Sequence, residues 1–331
     1  AQSGWMGSSF HHFVDRLEFE GSAVMVGQVA KGYGAKSGVD GNISVDLGWT
    51  YAATDQDSFS LCLEAGPGGG MDMRIPTFAG FNYDALDRDS IYICEFSYDR
   101  DWLNGAFRTR IGYLDFTSDF DGNAYASDEN TQFLSTGFMK NHAVELRELY
   151  SLGAVAWWTP SELFNAGIGF YEDNKSGVDV FGGGLLIGEL GITPKLGGRD
   201  GNYRFYVWRH GADHKEINGD GIGKNLGWGL SCDQAIGDYF GLFGRYGTRR
   251  SQVSEFSAAY SCGLELHNFN PIRSGDTIGF AWGTTFLSND FINAADEGAE
   301  LGDEGHIEFY YRLKFNDYVA VTPSVQYFCN P

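Results

Sequence analysis

The feature that most limits what this chain can fold into is an alternation of period two that recurs from one end to the other. In residues 225 to 250, "NLGWGLSCDQAIGDYFGLFGRYGTRR", Leu226, Trp228 and Leu230 share one face, while Gly227, Gly229, Ser231 and Asp233 take the other. After a turn at Ile236-Gly237-Asp238 the pattern resumes, with Phe240, Leu242 and Tyr246 against Gly241, Arg245 and Gly247. Successive strand residues point to opposite faces, so each segment predicts a strand with one apolar face and one small or charged face. "NISVDLGWTY" and "HIEFYYRLKF" repeat the design, as does "YVAVTPSVQYF" near the C-terminus. Further segments start near residues 16, 57, 90, 105, 150, 161, 180, 201, 254 and 276. The total predicts about fifteen or sixteen antiparallel strands, the size of a porin barrel.

The medium beyond the apolar face decides between a soluble sandwich or propeller and a membrane barrel. Mean hydropathy is −0.26, and no run approaches the ~18 apolar residues of a transmembrane helix. Barrel strands escape that test because they alternate their hydrophobicity. Aromatic residues make up 16% of the chain and glycines number 47. The polar faces are crowded with Gly, Ser, Arg, Glu and Tyr, whereas a sandwich in bulk water would carry Lys and Thr. The apolar faces end in aromatics, as an interfacial girdle would. The fold class expected is therefore all-β, a transmembrane antiparallel barrel of about 16 strands whose partner is outer-membrane lipid.

Tight connections such as 159 to 163 and 316 to 318 alternate with long acidic ones such as 115 to 130 and 288 to 304, which predicts short periplasmic turns and long outer loops. No linker or composition break divides residues 1 to 331, so a single domain is expected. Helices are expected only in "SSFHHFVDRL", within residues 1 to 15 or so, and in "NTQFLSTGF" inside a long loop. The opening "AQSGW" reads as a mature chain exported with its signal peptide removed. A net charge of 23 − 44 = −21 excludes nucleic acid as a partner. The five cysteines show no C-x-x-C spacing, and each lies in a strand-like segment, which favours small apolar residues over metal or redox roles. The seven histidines form no zinc or nucleophile motif, and no enzyme is expected.

Three stretches resemble the carbohydrate-selective porin family (OprB-like) of bacterial outer membranes: "RIGYLDFTSDFDGNAYASDENTQFLSTGF" (110 to 138), "YRFYVWRHGADH" with the hairpin after it, and the terminal "EFYYRLKFNDYVAVTPSVQYFCNP". The resemblance implies a sixteen-stranded barrel in the bacterial outer membrane, with loops folded into a channel that passes sugars by diffusion. A homotrimer is compatible with it. The strong acidity leaves a general or cation-selective porin as the alternative, and a structural or adhesive surface barrel as a further one.

Strand parity selects the residues a solute would meet. Arg108 and Arg110 face inward if Phe107, Thr109, Ile111 and Tyr113 face lipid. Arg204, Tyr206, Trp208 and His210 follow from the outward Tyr203, Phe205 and Val207. Arg245, Glu308, Tyr310 and Arg312 join them. Arginine and carboxylate satisfy sugar hydroxyls, and Trp or Tyr stacks on the C–H faces. The same residues would otherwise brace one another across the wall. Residues 115 to 142 are the expected constriction loop, with Phe133, Leu134 and Phe138 anchoring it and its acids pairing with lumen arginines. Those acids, Asp115, Asp119, Asp121, Asp128 and Glu129, otherwise form a solvated rim or a vestibule for cations. Asp119, Asp121 and Asn123 are a weak calcium set, in a spacing that puts glycine in the wrong place for an EF-hand. No other cofactor is expected.

Overall fold

The computed structural model describes residues 16–32, 37–85, 88–173, 183–296 and 301–331. They hold one antiparallel sheet of seventeen strands. In chain order these are β1 (Leu17–Ala30), β2 (Gly38–Ala52), β3 (Asp57–Gly66), β4 (Arg88–Trp102), β5 (Phe107–Asp115), β6 (Tyr150–Ser161), β7 (Phe164–Tyr171), β8 (Leu185–Ile192), β9 (Lys195–Leu196), β10 (Arg199–Lys215), β11 (Ile222–Ile236), β12 (Phe240–Thr248), β13 (Phe256–His267), β14 (Thr277–Leu287), β15 (Glu304–Lys314), β16 (Ala320–Val321) and β17 (Ser324–Cys329). Two-residue β9 and β16 are stubs within turns. Every long strand pairs with the next long one, as in β1 with β2, β8 with β10 and β15 with β17. Thr322-Pro323 splits the expected last strand, because proline cannot donate to a ladder.

Connections alternate between the two ends of the sheet. One end carries 53–56, 103–106, 162–163 and the Gly237 turn, where a φ of +62° suits a residue without Cβ. The other end carries 67–85, 116–149, 288–296 and 301–303. Along β10, Phe205 and Val207 stand exposed while Tyr206 and Trp208 between them are buried. Leu226, Trp228 and Leu230 are likewise exposed, and Ser231 and Arg245 are buried. Water would reward the opposite arrangement, so the exposed face is built for lipid.

The two ends of the ladder are brought to one place by segment 67–85. On the β1–β2 side, Gln28 accepts from the Met71 N–H at 2.9 Å, and Asp84 takes bonds of 2.6 Å from both Asn42 and Ser44. On the other side, the Phe78 and Ala79 N–H groups donate to Glu304 at 2.8 Å, and Gln326 donates to the Phe81 carbonyl at 2.9 Å. One segment thus staples the first two strands to the last ones, as a closed wall demands. Glu304, expected in a long acidic loop, instead opens β15 and is fully buried.

Two local expectations are corrected. "NTQFLSTGF" forms only a one-turn helix, Thr136–Met139, with the preceding residues in turns that let Phe133 point inward. Cys62 and Cys94 form a disulfide between β3 and β4. A register shift leaves Cys94 out of the ladder, and this bulge presents it to Cys62. Cys232, Cys262 and Cys329 are free. The N-terminal helix expected within residues 1 to 15 lies outside the described residues.

Candidate functional site

Segment 116–149 leaves β5 and lies across the inner face of β7 to β15. Asp115 starts it by accepting from the Thr117 N–H at 2.7 Å, which caps the one-turn helix Phe116–Asp119. Phe116 and Phe120 then sink into an apolar cluster with Leu114, Val155, Tyr171, Tyr206 and Trp208. Phe133 and Phe138 enter a second cluster with Phe243, Ala281 and Tyr310. The wall makes room for the rings by omitting side chains. A Cβ on Gly229 would overlap the Tyr206 ring that lies over it.

Arg245 fastens the middle of the segment. Its Nε donates to Asp121 at 3.1 Å, Nη1 to the carbonyls of Ala126 and Phe138 at 2.7 and 2.6 Å, and Nη2 to the Asp121 carbonyl and Ser127 Oγ at 2.9 and 2.8 Å. One planar donor fork therefore joins residues 121 and 138, on either side of the loop's tip. Glu308 accepts the Leu134 and Ser135 N–H groups at 2.9 Å each. Glu189 accepts the Asp121 N–H at 3.1 Å, and the Tyr206 hydroxyl donates to Asp121 at 2.9 Å. Farther along, Asp173 accepts the Arg147 N–H at 2.9 Å and is bonded to His210 Nε2 at 2.8 Å.

Of the residues that parity placed inward, Tyr206, Trp208, His210, Arg245, Glu308 and Tyr310 are thus sealed beneath this segment, at 0 to 4% exposure. The bonds of Tyr206, Arg245 and Glu308 brace the loop, and the rings of Trp208 and Tyr310 pack within its apolar clusters. A second group stays closer to water. Arg110 sits among Glu95, Asp99 at 3.5 Å and Asp119 at 3.3 Å, and Arg108 pairs with Asp99 while half its side chain remains exposed. Trp157 stands cross-strand from Arg108. Arg204 faces Asp233 at 3.0 Å, and Arg312 is half-buried on β15.

The acidic loop does not form a solvated rim. Asp119 and Asp121 turn inward to Arg110 and Arg245, Asp115 closes β5, and Asp128 bonds Thr131 at 2.6 Å within the loop. Burial raises the Asp119 carboxyl above its usual range, an effect Arg110 opposes. Burial also pushes Glu129 up to about 8, helped by the charges of Asp128, Asp84 and Asp115. Lys140 is lowered by burial. The calcium set is dispersed, since the Asn123 amide donates to Ser231 and the Cys232 carbonyl while the two aspartates serve different arginines.

Sequence reasoning passed over Glu189, Asp173 and Asn141, whose N–H donates to Asp121 at 2.6 Å and whose amide donates to the Tyr206 hydroxyl at 2.7 Å. Glu189 carried a signal, being the one charge in "LLIGELGI" and on the face opposite Leu186 and Leu190. Asp173 and Asn141 lie in loops, where parity says nothing.

A lipid-facing wall with a polar interior and a long segment folded across it defines a bacterial outer-membrane porin. The family model "Carbohydrate-selective porin, OprB family" matches residues 20–331, and the chain belongs to that family. The high-pH structure of Pseudomonas putida OprB superposes with a TM-score of 0.83 at 16% identity, covering 98% of this chain and 92% of that one. The trimer form of OmpT from Vibrio cholerae gives 0.57 at 11% identity, covering 94% and 88%. Porin AaxA of Chlamydia abortus is 24% identical over 220 residues, 64% of this chain and 47% of its own. The chain thus spans about half the length of the curated relatives it matches.

Proposed function

We propose that this porin passes small saccharides by passive diffusion along the strip of wall that segment 116–149 leaves uncovered. The observation that carries the reading is the row on β4 to β6 where Glu95, Asp99, Arg108 and Arg110 alternate acceptors and donors beside Trp157, with Arg108 half exposed at its edge. A sugar offers hydroxyls to such pairs and a C–H face to the indole. A cation-selective channel is the second reading, favoured by the net charge of −21 and by three acids, Glu95, Asp99 and Asp119, gathered around the two arginines. Three copies in the membrane, as in the trimer form of V. cholerae OmpT, complete the proposal.

Planar-bilayer recordings with and without added mono-, di- and trisaccharides test it. A saccharide channel shows transient, concentration-dependent block. Steady conductance without block, together with a cation reversal potential, selects the second reading. Absence of conductance rejects both.

A further inference from the structure

On the outer wall, the outward faces of three neighbouring strands change character at one level near the long-loop end. β10 reads Phe205, Val207, then Arg209; β11 reads Trp228, Leu226, then Lys224; and Arg250 follows Thr248 at the end of β12. β11 and β12 part there, and the β10–β11 register shifts between Arg209 and Asp213. The β11–β12 register runs from Ile236–Phe240 only as far as Gly229–Gly247, although β11 continues to Ile222. The parting opens a groove of about 620 Å³ lined by Val207, Arg209, Leu226, Trp228 and Arg250. Trp208, on the inner side of the wall, also lines it, and its buried indole Nε1 has no hydrogen-bond partner.

The charges at the rim are unequally engaged. Lys224 is held by Asp213 at 2.7 Å, and Arg250 meets Glu216 at 3.3 Å. Arg249 turns inward to the Ala143 carbonyl. Arg209 is exposed and has no ion pair or hydrogen bond among the described residues. An unpaired guanidinium directly above an apolar groove, in a chain of net charge −21, is a site for an anion with a hydrocarbon tail.

We propose that this groove holds one anionic lipid of the outer leaflet. Its phosphate lies on Arg209, with Arg250 beside it, and one acyl chain runs down over Val207, Leu226 and Trp228. The guanidinium supplies the planar fork that matches phosphate oxygens, and Trp228 sits where indoles settle at a membrane interface. The site faces lipid and is separate from the solute path, so it does not depend on which solute the channel carries.

The test uses the full chain, folded in neutral detergent, with native mass spectrometry after incubation with a lipid. Wild type is expected to retain one long-chain phosphatidylglycerol per chain where phosphatidylcholine is stripped. Arg209→Gln with Arg250→Gln should weaken that retention roughly tenfold, and Arg209→Lys should keep part of it. Arg199→Gln, at the opposite end of β10, should leave it unchanged, and heat-modifiable gel migration verifies that each variant is folded. Equal retention of the two lipids by wild type overturns the proposal, as does undiminished retention by the double variant. Retention of a short-chain phosphatidylglycerol equal to that of the long-chain one removes the acyl groove and overturns it too. Lipid-free dimers joined through this face would show that a second copy is the occupant.

Discussion

The inner wall presents the same chemistry in two settings. Beneath segment 116–149, Arg245 and Asp121 form a pair whose side chains are 1% and 3% exposed. On β4 and β5, Arg108 and Asp99 form a pair whose arginine is half in water. The first pair is surrounded by backbone groups that Arg245 satisfies, whereas in the second Asp99 is buried and Arg108 reaches into solvent. Strand parity assigns both to the same side. What separates them is the cover, and cover decides whether an ion pair is a fastening or a surface for a solute. A buried charge stripped of its partner costs about 3–5 kcal/mol, whereas exposed pairs contribute about 1 kcal/mol or less.

The comparison breaks most visibly at Arg245. Arg245→Ala leaves Asp121 buried without a cation and strands the carbonyls of Ala126 and Phe138. A stability loss of about 3–5 kcal/mol is expected in thermal melts of the detergent-solubilised protein. Single-channel conductance should rise and become noisy as the segment comes loose. A quiet channel of unchanged conductance would show that the aromatic clusters hold the segment unaided.

Gly229→Val tests the cover from the wall side. The added side chain displaces the Tyr206 ring and with it the hydroxyl that reaches Asp121. Overpacking of this kind costs roughly 1–3 kcal/mol. A melt that matches wild type would mean that the ring has room to move.

On the open strip, stability and selectivity should separate. Arg108→Ala with Arg110→Ala removes two cations facing Glu95, Asp99 and Asp119. Arg108 is half exposed and contributes roughly 1 kcal/mol or less, so the melt should change little beyond the effect of Arg110. The reversal potential, in contrast, should move toward cations at low salt, conductance should rise, and saccharide block should weaken. A double variant with wild-type conductance and block would shift the search to Arg204 and Arg312.

The last effect expected is a pH slope from Glu129. Its carboxyl is held up to about 8 in the folded loop against 4.5 when free. The folded chain then keeps a proton that the unfolded chain has lost, so this group's contribution to stability is complete below about 4.5 and declines as pH rises toward 8. Glu129→Gln should flatten that decline in melts recorded across this interval. A slope identical to wild type would assign it to another group.

Much of this architecture was legible in the sequence, because lipid on one side and polar contents on the other impose a period of two on every strand. Leu226, Trp228 and Leu230 stand exposed for that reason. The inward folding of segment 116–149 was legible in outline, since Phe133 and Phe138 have no place in a solvated loop, and both are buried. Parity could not tell that Tyr206, His210 and Glu308 would be roofed over while Arg108 would not, because the roof is made by distant contacts. The Cys62–Cys94 bridge was hidden by a bulge, which local periodicity cannot reveal. Segment 67–85 escaped notice because its partners are side chains on strands that lie up to 245 residues away in sequence.

Those separations have a consequence for the order of assembly. Phe78 waits 226 positions for Glu304, and Phe81 waits 245 for Gln326. Contacts so remote in sequence carry a large closure entropy and form slowly. The bonds from Gln28 and Asn42 can form as soon as β1 and β2 exist, so the segment is half-docked early and fully docked only when the last strands arrive. Its protection against proteolysis is therefore a clock for the final step of folding. A nascent chain would stay open to cleavage within residues 71–85 until β17 is in place.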